Sequence, residues 1–327
     1  MTQYTVMVAL QQFCEHDTRP HRLLEEAGFA IRLNQLGQRL RREDMPEALR
    51  DADAILAGVE TYDASVLAAL PRLRCISRCG VGTDSIDLEA ARHHGIAVYT
   101  TTDEVVEPVA QLTVAMILAL ARNIPLHVAD ARQGAWIKRT GALLSEWTIG
   151  LVGFGRIGRA VERYLRPFRP RLLIADPHLS PAQAPQGAEL RELPVVLAQA
   201  DLISLHASRA PHEGPLLNRE AIARMKRGSY VVNTARGFLV DEAALYNAIV
   251  RGHLAGAALD VFGDEPYTGL LATLPQVLCT PHISTLTKAS RAAMEYQCAK
   301  RVVEHFQQQD AAVGTAAGRL TVTQGAK

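Results

Sequence analysis

The sequence predicts an α/β protein of two domains, with a doubly wound parallel sheet inserted into a smaller α/β domain. Three observations carry that prediction. Short apolar strands alternate with helical patterns along most of the chain, the signature of a parallel sheet. The alternation is best defined after Trp147, where six strand-like segments follow one another. A glycine-rich turn, Gly153-Phe154-Gly155-Arg156-Ile157-Gly158, stands between the first of these six strands and a helical pattern.

Each element follows from local pattern. Tyr4–Leu10 is a short apolar segment with strand character, and His21–Ala27 reads as a helix ended by Gly28. Ala54–Ala57 and Cys75–Ser77 read as further strands, with helices over Ala64–Leu70 and Leu88–His94. A long helix covers about Pro108–Arg122. The later strands are Thr148–Gly153, Leu172–Asp176, Leu202–His206, Tyr230–Thr234, Ala257–Val261 and Val277–Thr280, with helices such as Arg156–Leu165 and Glu242–Val250 between them. Thr287–Gln308 is helical. The small, polar segment from Asp310 to Lys327 reads as a loose tail. The expected domains are 1–103, 104–286 and a return to the first through 287–327, with a cleft between the two.

Composition bounds the function. A length of 327 residues and a hydrophobic content of 48% supply cores for two domains and exclude global disorder. Lys+Arg 35 against Asp+Glu 34 excludes a chain-wide binder of nucleic acid or other polyanions. Cys14, Cys75, Cys79, Cys279 and Cys298 are odd in number and lack zinc spacing, so they read as reduced, mostly buried thiols, and no metal site is expected. The N-terminus lacks the basic and apolar regions of a signal peptide, and the apolar run Val109–Ala121 is too short to span a bilayer. A cytoplasmic protein without membrane or nucleic-acid partners is expected.

The glycine turn has a physical reading. Gly153 permits the turn, Gly155 lets the backbone approach a pyrophosphate, and Gly158 lets helix and strand pack closely. The helix N-terminus offers free N–H groups to phosphate. The following strand ends in Asp176, placed to accept from a ribose 2′-hydroxyl and to repel a 2′-phosphate, so NAD is favoured over NADP. Six such strands suit a complete dinucleotide-binding (Rossmann) sheet of two half-units. A bare glycine motif is weak evidence, and a methyltransferase loop satisfies the same pattern.

Three strand ends deliver unusual polar residues to the edge where open α/β sheets bind ligands. These are Arg236 after Tyr230–Thr234, Glu265 after Ala257–Val261, and His282 after Val277–Thr280. Together they suit hydride transfer at a 2-hydroxy acid. Arg236 can hold a carboxylate through paired hydrogen bonds. His282 can exchange the hydroxyl proton. Glu265, bonded to the other ring nitrogen, would fix the tautomer and favour the imidazolium.

In these motifs the chain, over about residues 50 to 300, resembles the D-isomer-specific 2-hydroxyacid dehydrogenase family. Ile76-Ser77-Arg78-Cys79-Gly80-Val81-Gly82-Thr83-Asp84-Ser85-Ile86-Asp87 is similar to its substrate loop. Leu151–Gly158 is similar to its cofactor loop. Met225-Lys226-Arg227-Gly228 leading to Asn233-Thr234-Ala235-Arg236-Gly237, then Asp260-Val261-Phe262 with Glu265-Pro266, and Thr280-Pro281-His282, complete the series. The resemblance implies a flavodoxin-like substrate domain beside the Rossmann domain, NAD as cofactor, and Arg236, Glu265 and His282 as the catalytic set. It implies that Val81 and Gly82 offer backbone N–H groups to a substrate carboxylate. Thr101, Arg156, Ile157, Asp176, His206, Ala207, Thr234, Ala235 and Asp260 would line the NAD site. It implies a homodimer joined through the cofactor domain, with the long helix and the Gly134-Ala135-Trp136 loop at the interface.

Arg78, just before the substrate loop, gives the closest resemblance to the phosphoglycerate dehydrogenase-like branch, in a short form without a regulatory domain. A cation there would bind a second anionic group; the plain alternative is a structural ion pair. Departures from the family pattern are Gln111 in place of a common Glu, Ile283-Ser284-Thr285 in place of small glycines, and the segment Ala207–His212 with Arg209 and His212; Lys288 adds a further charge. They leave open a general glyoxylate or hydroxypyruvate reductase. From another class, an NAD(H)-sensing binding protein on the same fold is the alternative.

Overall fold

The computed structural model describes residues 4–35, 38–208 and 213–320, with side chains as far as Ala311. The chain divides into two compact units, Met1–Val105 with Thr287–Lys327, and Val106–Leu286.

The first unit carries β1 (Thr5–Val8), α1 (Arg19–Glu26), β2 (Ala30–Leu33), α2 (Met45–Ala48), β3 (Ala54–Ala57), α3 (Ala64–Ala68), β4 (Cys75–Arg78), α4 (Leu88–His93) and β5 (Ala97–Thr100). The strands form one sheet in the order β2-β1-β3-β4-β5, and every pair is parallel. This is the flavodoxin-like order. Central β1 and β3 are buried on both faces, whereas β2 at one edge is half exposed. Asp63 and Asp87 start α3 and α4 by accepting backbone N–H bonds at their first turns. The C-terminal helix (Lys288–Leu320) packs on α1 and β4. Its Phe306 ring lies 4.4 Å from Tyr4 and 5.4 Å from Phe29, closing an aromatic cluster.

The second unit carries α5 (Val106–Ala121), α6 (Ile124–Arg132), β6 (Thr148–Val152), α7 (Arg156–Leu165), β7 (Arg171–Ala175), β8 (Ala188–Leu190), α8 (Leu193–Gln199), β9 (Leu202–Leu205), α9 (Arg219–Arg224), β10 (Tyr230–Asn233), α10 (Glu242–Val250), β11 (Gly256–Leu259) and β12 (Val277–Cys279). Its sheet is wholly parallel in the order β12-β11-β10-β9-β6-β7-β8. Successive strand residues feed opposite cores. Leu173, Ile203, Val231 and Ala257 pack with α8 to α10, while Leu172, Leu202, Val232 and Ala258 pack with α5 and α7. The chain order reverses between β6 and β9, so the ligand crevice of such a sheet opens there.

Two expectations need correction. The Rossmann sheet has seven strands rather than six, because Ala188–Leu190 adds an edge strand beside β7. The segment after Asp310 is not loose at its start: the C-terminal helix continues to Leu320, as an alanine-rich sequence favours. Residues 321–327 lie outside the described residues. The apolar run in α5 is a core helix, with Val109, Val114, Met116, Ile117 and Leu120 buried. No single helix among the described residues is long and apolar enough to cross a membrane.

Candidate active site

The glycine turn lies between β6 and α7. Gly153 has φ +90°, and a Cβ there would stand 2.6 Å from the backbone of His206 and Ala207. Only glycine satisfies both constraints. A Cβ on Gly158 would stand 2.5 Å from the Gly153 carbonyl oxygen, so α7 packs directly on the turn. A Cβ on Gly155 would meet nothing within 4 Å. The turn is tight on two sides and open on the third, where α7 begins. Arg156 and Ile157 form its first turn, and the first N–H to bond back within the helix is that of Arg159, to Gly155. The N–H groups before it point out of the helix end, as a pyrophosphate requires. This open space suits NAD, whose phosphates would take these N–H groups.

Asp176 ends β7. One carboxylate oxygen accepts from Phe154 N at 2.7 Å and the other from His178 N at 2.8 Å. The acid therefore ties the glycine turn to the neighbouring strand, and each oxygen keeps lone pairs for a ribose hydroxyl. Phe154 is buried beneath the turn, with Arg159 over its ring. His206 follows β9, and its Nε2 lies 2.9 Å from Ser204 Oγ. Burial pushes its imidazole down to about 4, so the ring is neutral at physiological pH.

The Arg236 turn is built by a residue to which the sequence reading gave no role. Asn233 is buried at the end of β10, where its amide donates to the Arg236 carbonyl at 2.8 Å and its oxygen accepts from Ala235 N at 3.0 Å. A polar residue closing the apolar run Tyr-Val-Val-Asn was the available signal. Thr234 beside it shares a 2.7 Å hydrogen bond with Thr113 of α5. A Cβ on Gly237 would stand 1.9 Å from the Phe262 carbonyl carbon, so the arginine turn lies against the loop after β11.

That loop carries Glu265, and the loop after β12 carries His282. Glu265 Oε2 lies 2.8 Å from His282 Nδ1, while Oε1 accepts from Phe262 N at 3.0 Å. A carboxylate partner assigns the proton to Nδ1. His282 Nε2 has no partner among the described residues, and the side chain is 40% exposed. His282 sits at φ +54°, in the left-handed region. Asp260 enforces that geometry. Its buried carboxylate accepts from Thr280 Oγ1 at 2.5 Å, Ile283 N at 2.8 Å and Ser284 N at 3.0 Å, and its carbonyl accepts from His282 N. Asp260, which the resemblance places at the cofactor, clamps the histidine loop on both sides.

The first unit holds the other expected residues. Thr101 is buried, and its hydroxyl accepts from Gly80 N at 2.8 Å, fixing the start of the Gly80-Val81-Gly82 loop. The Val81 and Gly82 N–H groups have no protein partner among the described residues, and Val81 is exposed. The Arg78 guanidinium lies against Gly80, and its Nη1 donates to the Cys79 carbonyl at 2.8 Å. Gln111 donates to Tyr164 Oη at 3.3 Å, so the family's altered position is a helix-to-helix contact between α5 and α7. Arg209 and His212 lie outside the described residues. No cluster of metal ligands occurs among the described residues.

The fold and these loops define a dehydrogenase-type dinucleotide-binding protein, and comparison gives the family. Residues 114–284 match the model for the D-isomer specific 2-hydroxyacid dehydrogenase, NAD binding domain. The chain belongs to the D-isomer specific 2-hydroxyacid dehydrogenases, and its Rossmann unit is that family's NAD-binding domain. It is 41% identical to the D-3-phosphoglycerate dehydrogenase of Mycobacterium tuberculosis over 251 residues, 75% of this chain and 48% of that one. It thus spans about half the length of the phosphoglycerate dehydrogenases it matches. It is 35% identical to the glyoxylate reductase of Pyrococcus furiosus over 293 residues, 86% of this chain and 87% of that one. Among solved structures it resembles the D-lactate dehydrogenase of Aquifex aeolicus complexed with NAD and lactic acid. The TM-score there is 0.82 at 28% identity, with 94% of this chain and 96% of that one covered.

Proposed function

We propose that the protein is an NAD-dependent dehydrogenase that moves a hydride between nicotinamide and the C2 position of a D-2-hydroxy acid or 2-oxo acid. The observation that carries this is the 2.8 Å Glu265–His282 pair at the carboxyl edge of the sheet that holds the glycine turn. With Nδ1 held by Glu265, His282 Nε2 gives its proton to the developing alkoxide in reduction and takes it back in oxidation. The Glu265 carboxylate balances the charge that the ring gains. Arg236, on the loop of the next strand but one, binds the substrate carboxylate and polarises the 2-oxo group. In the first unit, the N–H groups of Val81 and Gly82, which no protein acceptor takes among the described residues, are suited to a substrate carboxylate. The hydride itself is the chemistry that bound NAD supplies.

The substrate we propose is 3-phosphoglycerate and its 2-oxo partner, supported by the likeness to phosphoglycerate dehydrogenases and by Arg78 as a cation for a phosphate. One observation favours a second reading, a small unphosphorylated acid such as glyoxylate. Glu60 is buried after β3 within electrostatic reach of Arg78 and Arg39, and burial raises its carboxyl above the ordinary range. Once ionised, it offsets the charge a phosphate would need. We also propose a homodimer through the second unit. Trp136 is 90% exposed, with Ile124, Val128, Ile137 and Leu143 exposed on α6 and the segment after it, an apolar set that asks for a partner.

The test is His282→Ala. NADH affinity should stay near wild type while turnover falls by roughly a hundredfold or more. Wild-type turnover in the variant would refute the proton-transfer role.

A further inference from the structure

Cys79 directly follows β4 and opens the Gly80-Val81-Gly82 loop. Its N–H, carbonyl and sulfur are all engaged. The N–H donates to the Ala57 carbonyl at the end of β3, and the carbonyl accepts from Arg78 Nη1 at 2.8 Å. The buried sulfur accepts from Arg291 Nη1 at 3.4 Å. Gly80 is held next, with its N–H on Thr101 Oγ1 at 2.8 Å and its carbonyl accepting from Thr101 N at 3.1 Å. The base of the loop is thus fixed just before the Val81 and Gly82 N–H groups, which have no protein acceptor among the described residues.

Most of these grips come from the ends of neighbouring strands. Arg291 comes from the first turn of the C-terminal helix, 212 residues further along the chain. Its guanidinium also donates to the Gln12 carbonyl, in the loop after β1, at 3.3 Å and to Glu295 Oε1 at 2.8 Å. Glu295 stands one helical turn on, so the two side chains share a face. Its other oxygen accepts from Cys14 N at 2.8 Å. Cys14 sits at φ +61°, so the acid holds the β1 loop in a conformation that an L residue seldom adopts. In the sheet, β3 lies between β1 and β4, so one arginine joins loops from strands that do not pair. The ion pair is withdrawn from water, with side chains 18% and 5% exposed. Such burial is offset only when the remaining donors and acceptors are met, and here two loops meet them.

We propose that Arg291, steadied by Glu295, is the positioning residue of the Gly80-Val81-Gly82 loop, setting the affinity for the 2-oxo acid without taking part in hydride or proton transfer. The planar guanidinium is what this role needs. A lysine ammonium keeps a charge for Glu295 but has no fork to span Cys79 and Gln12 as well. A carboxylate held by the loop is held alike in the ground and transition states. A displaced loop therefore raises KM and leaves kcat near wild type. The effect on KM rests on the proposed role of Val81 and Gly82; the hold of Arg291 on the loop does not.

Arg291→Lys and Cys79→Ala are made singly and together in the full chain. Hydrogen exchange of peptides covering residues 10–16 and 79–87 is read by mass spectrometry, beside 2-oxo acid KM, kcat and NADH Kd. Arg291→Lys should raise KM about fivefold or more, with kcat within about twofold, NADH Kd unchanged and faster exchange in both peptides. Cys79→Ala should raise KM and speed exchange in the 79–87 peptide. Adding Arg291→Lys to it should raise KM by less than about twofold more, because both variants break the same contact to the loop. Glu304→Gln, which removes the partner of Lys300 and Arg301 farther along the helix, should change nothing. Wild-type exchange of the 79–87 peptide in Arg291→Lys would overturn the proposal whatever KM does. A fall in kcat at unchanged KM, KM effects that simply multiply in the double variant, or an equal KM rise in Glu304→Gln would also overturn it. The exchange measurement stands even if the protein reduces no 2-oxo acid. Faster exchange would then keep the hold on the loop and remove the substrate reading, so the two failures are told apart.

Discussion

The two outer positions of the glycine turn's first half should respond oppositely to the same methyl group. Gly155 has φ −72° and ψ −157°, an extended conformation open to any residue, and its Cβ would meet nothing within 4 Å. Gly155→Ala should therefore leave stability within about 0.5 kcal/mol of wild type. The methyl group would, however, stand where the pyrophosphate approaches α7. Loss of even one hydrogen bond to a charged phosphate oxygen costs about 1.5–3 kcal/mol, so NADH Kd should rise at least roughly tenfold. Gly153→Ala meets the reverse situation. Its φ of +90° costs an L residue about 1–2 kcal/mol. The 2.6 Å approach to His206 and Ala207 adds an overpacking cost of about 1–3 kcal/mol, for a total of roughly 2–5 kcal/mol. Urea unfolding and NADH fluorescence titration of both variants separate the effects. A Gly155→Ala protein that binds NADH like wild type, or unfolds as early as Gly153→Ala, would refute the assignment of that open space to the cofactor.

Asp260→Ala should destabilise the protein by roughly 2–5 kcal/mol, because it leaves the buried Ser284 N–H, the half-buried Ile283 N–H and the Thr280 hydroxyl without their acceptor. Asp260→Asn should rescue little, since an amide nitrogen faces donors; guanidinium unfolding with a turnover assay checks both. His206 gives an acid-stability prediction. The unfolded ring takes a proton near its ordinary 6.5, whereas the folded ring resists until about 4, so the unfolded state binds more protons between these values and stability falls as pH drops through them. His206→Gln should lack this slope, with a difference of up to about 3 kcal/mol near pH 4 and none above pH 7, read by thermal unfolding across that range.

What was legible in the sequence follows burial. Strands β1, β3, β4, β6, β7 and β9 to β11 announce themselves as apolar runs because both faces of a parallel sheet are covered. The three strands that escaped notice, β2, β5 and β8, all lie at sheet edges. There Arg32, Tyr99 and Glu189 interrupt runs that are only partly buried. Polar residues at strand ends pointed to Arg236, Glu265 and His282, and the histidine–glutamate contact follows from their places on neighbouring strands. The clamp by Asp260 and the turn built by Asn233 were not legible. Both depend on backbone N–H groups brought together by loops, and side-chain type says little about where a loop's N–H groups point. The helix beyond Asp310 was misread because small residues suggest slack, although alanine is the strongest helix former.

The measurement that bears most directly on the proposed chemistry is NADH oxidation by the purified wild-type chain. It would be offered phosphohydroxypyruvate, hydroxypyruvate, glyoxylate and pyruvate at equal concentration, with the product's configuration determined. Consumption of NADH with at least one of these acids, giving the D-hydroxy acid, is predicted, and a preference for phosphohydroxypyruvate would assign the phosphate to Arg78. A protein that binds NADH tightly yet reduces none of the four would contradict the catalytic reading and turn the fold into a nicotinamide sensor.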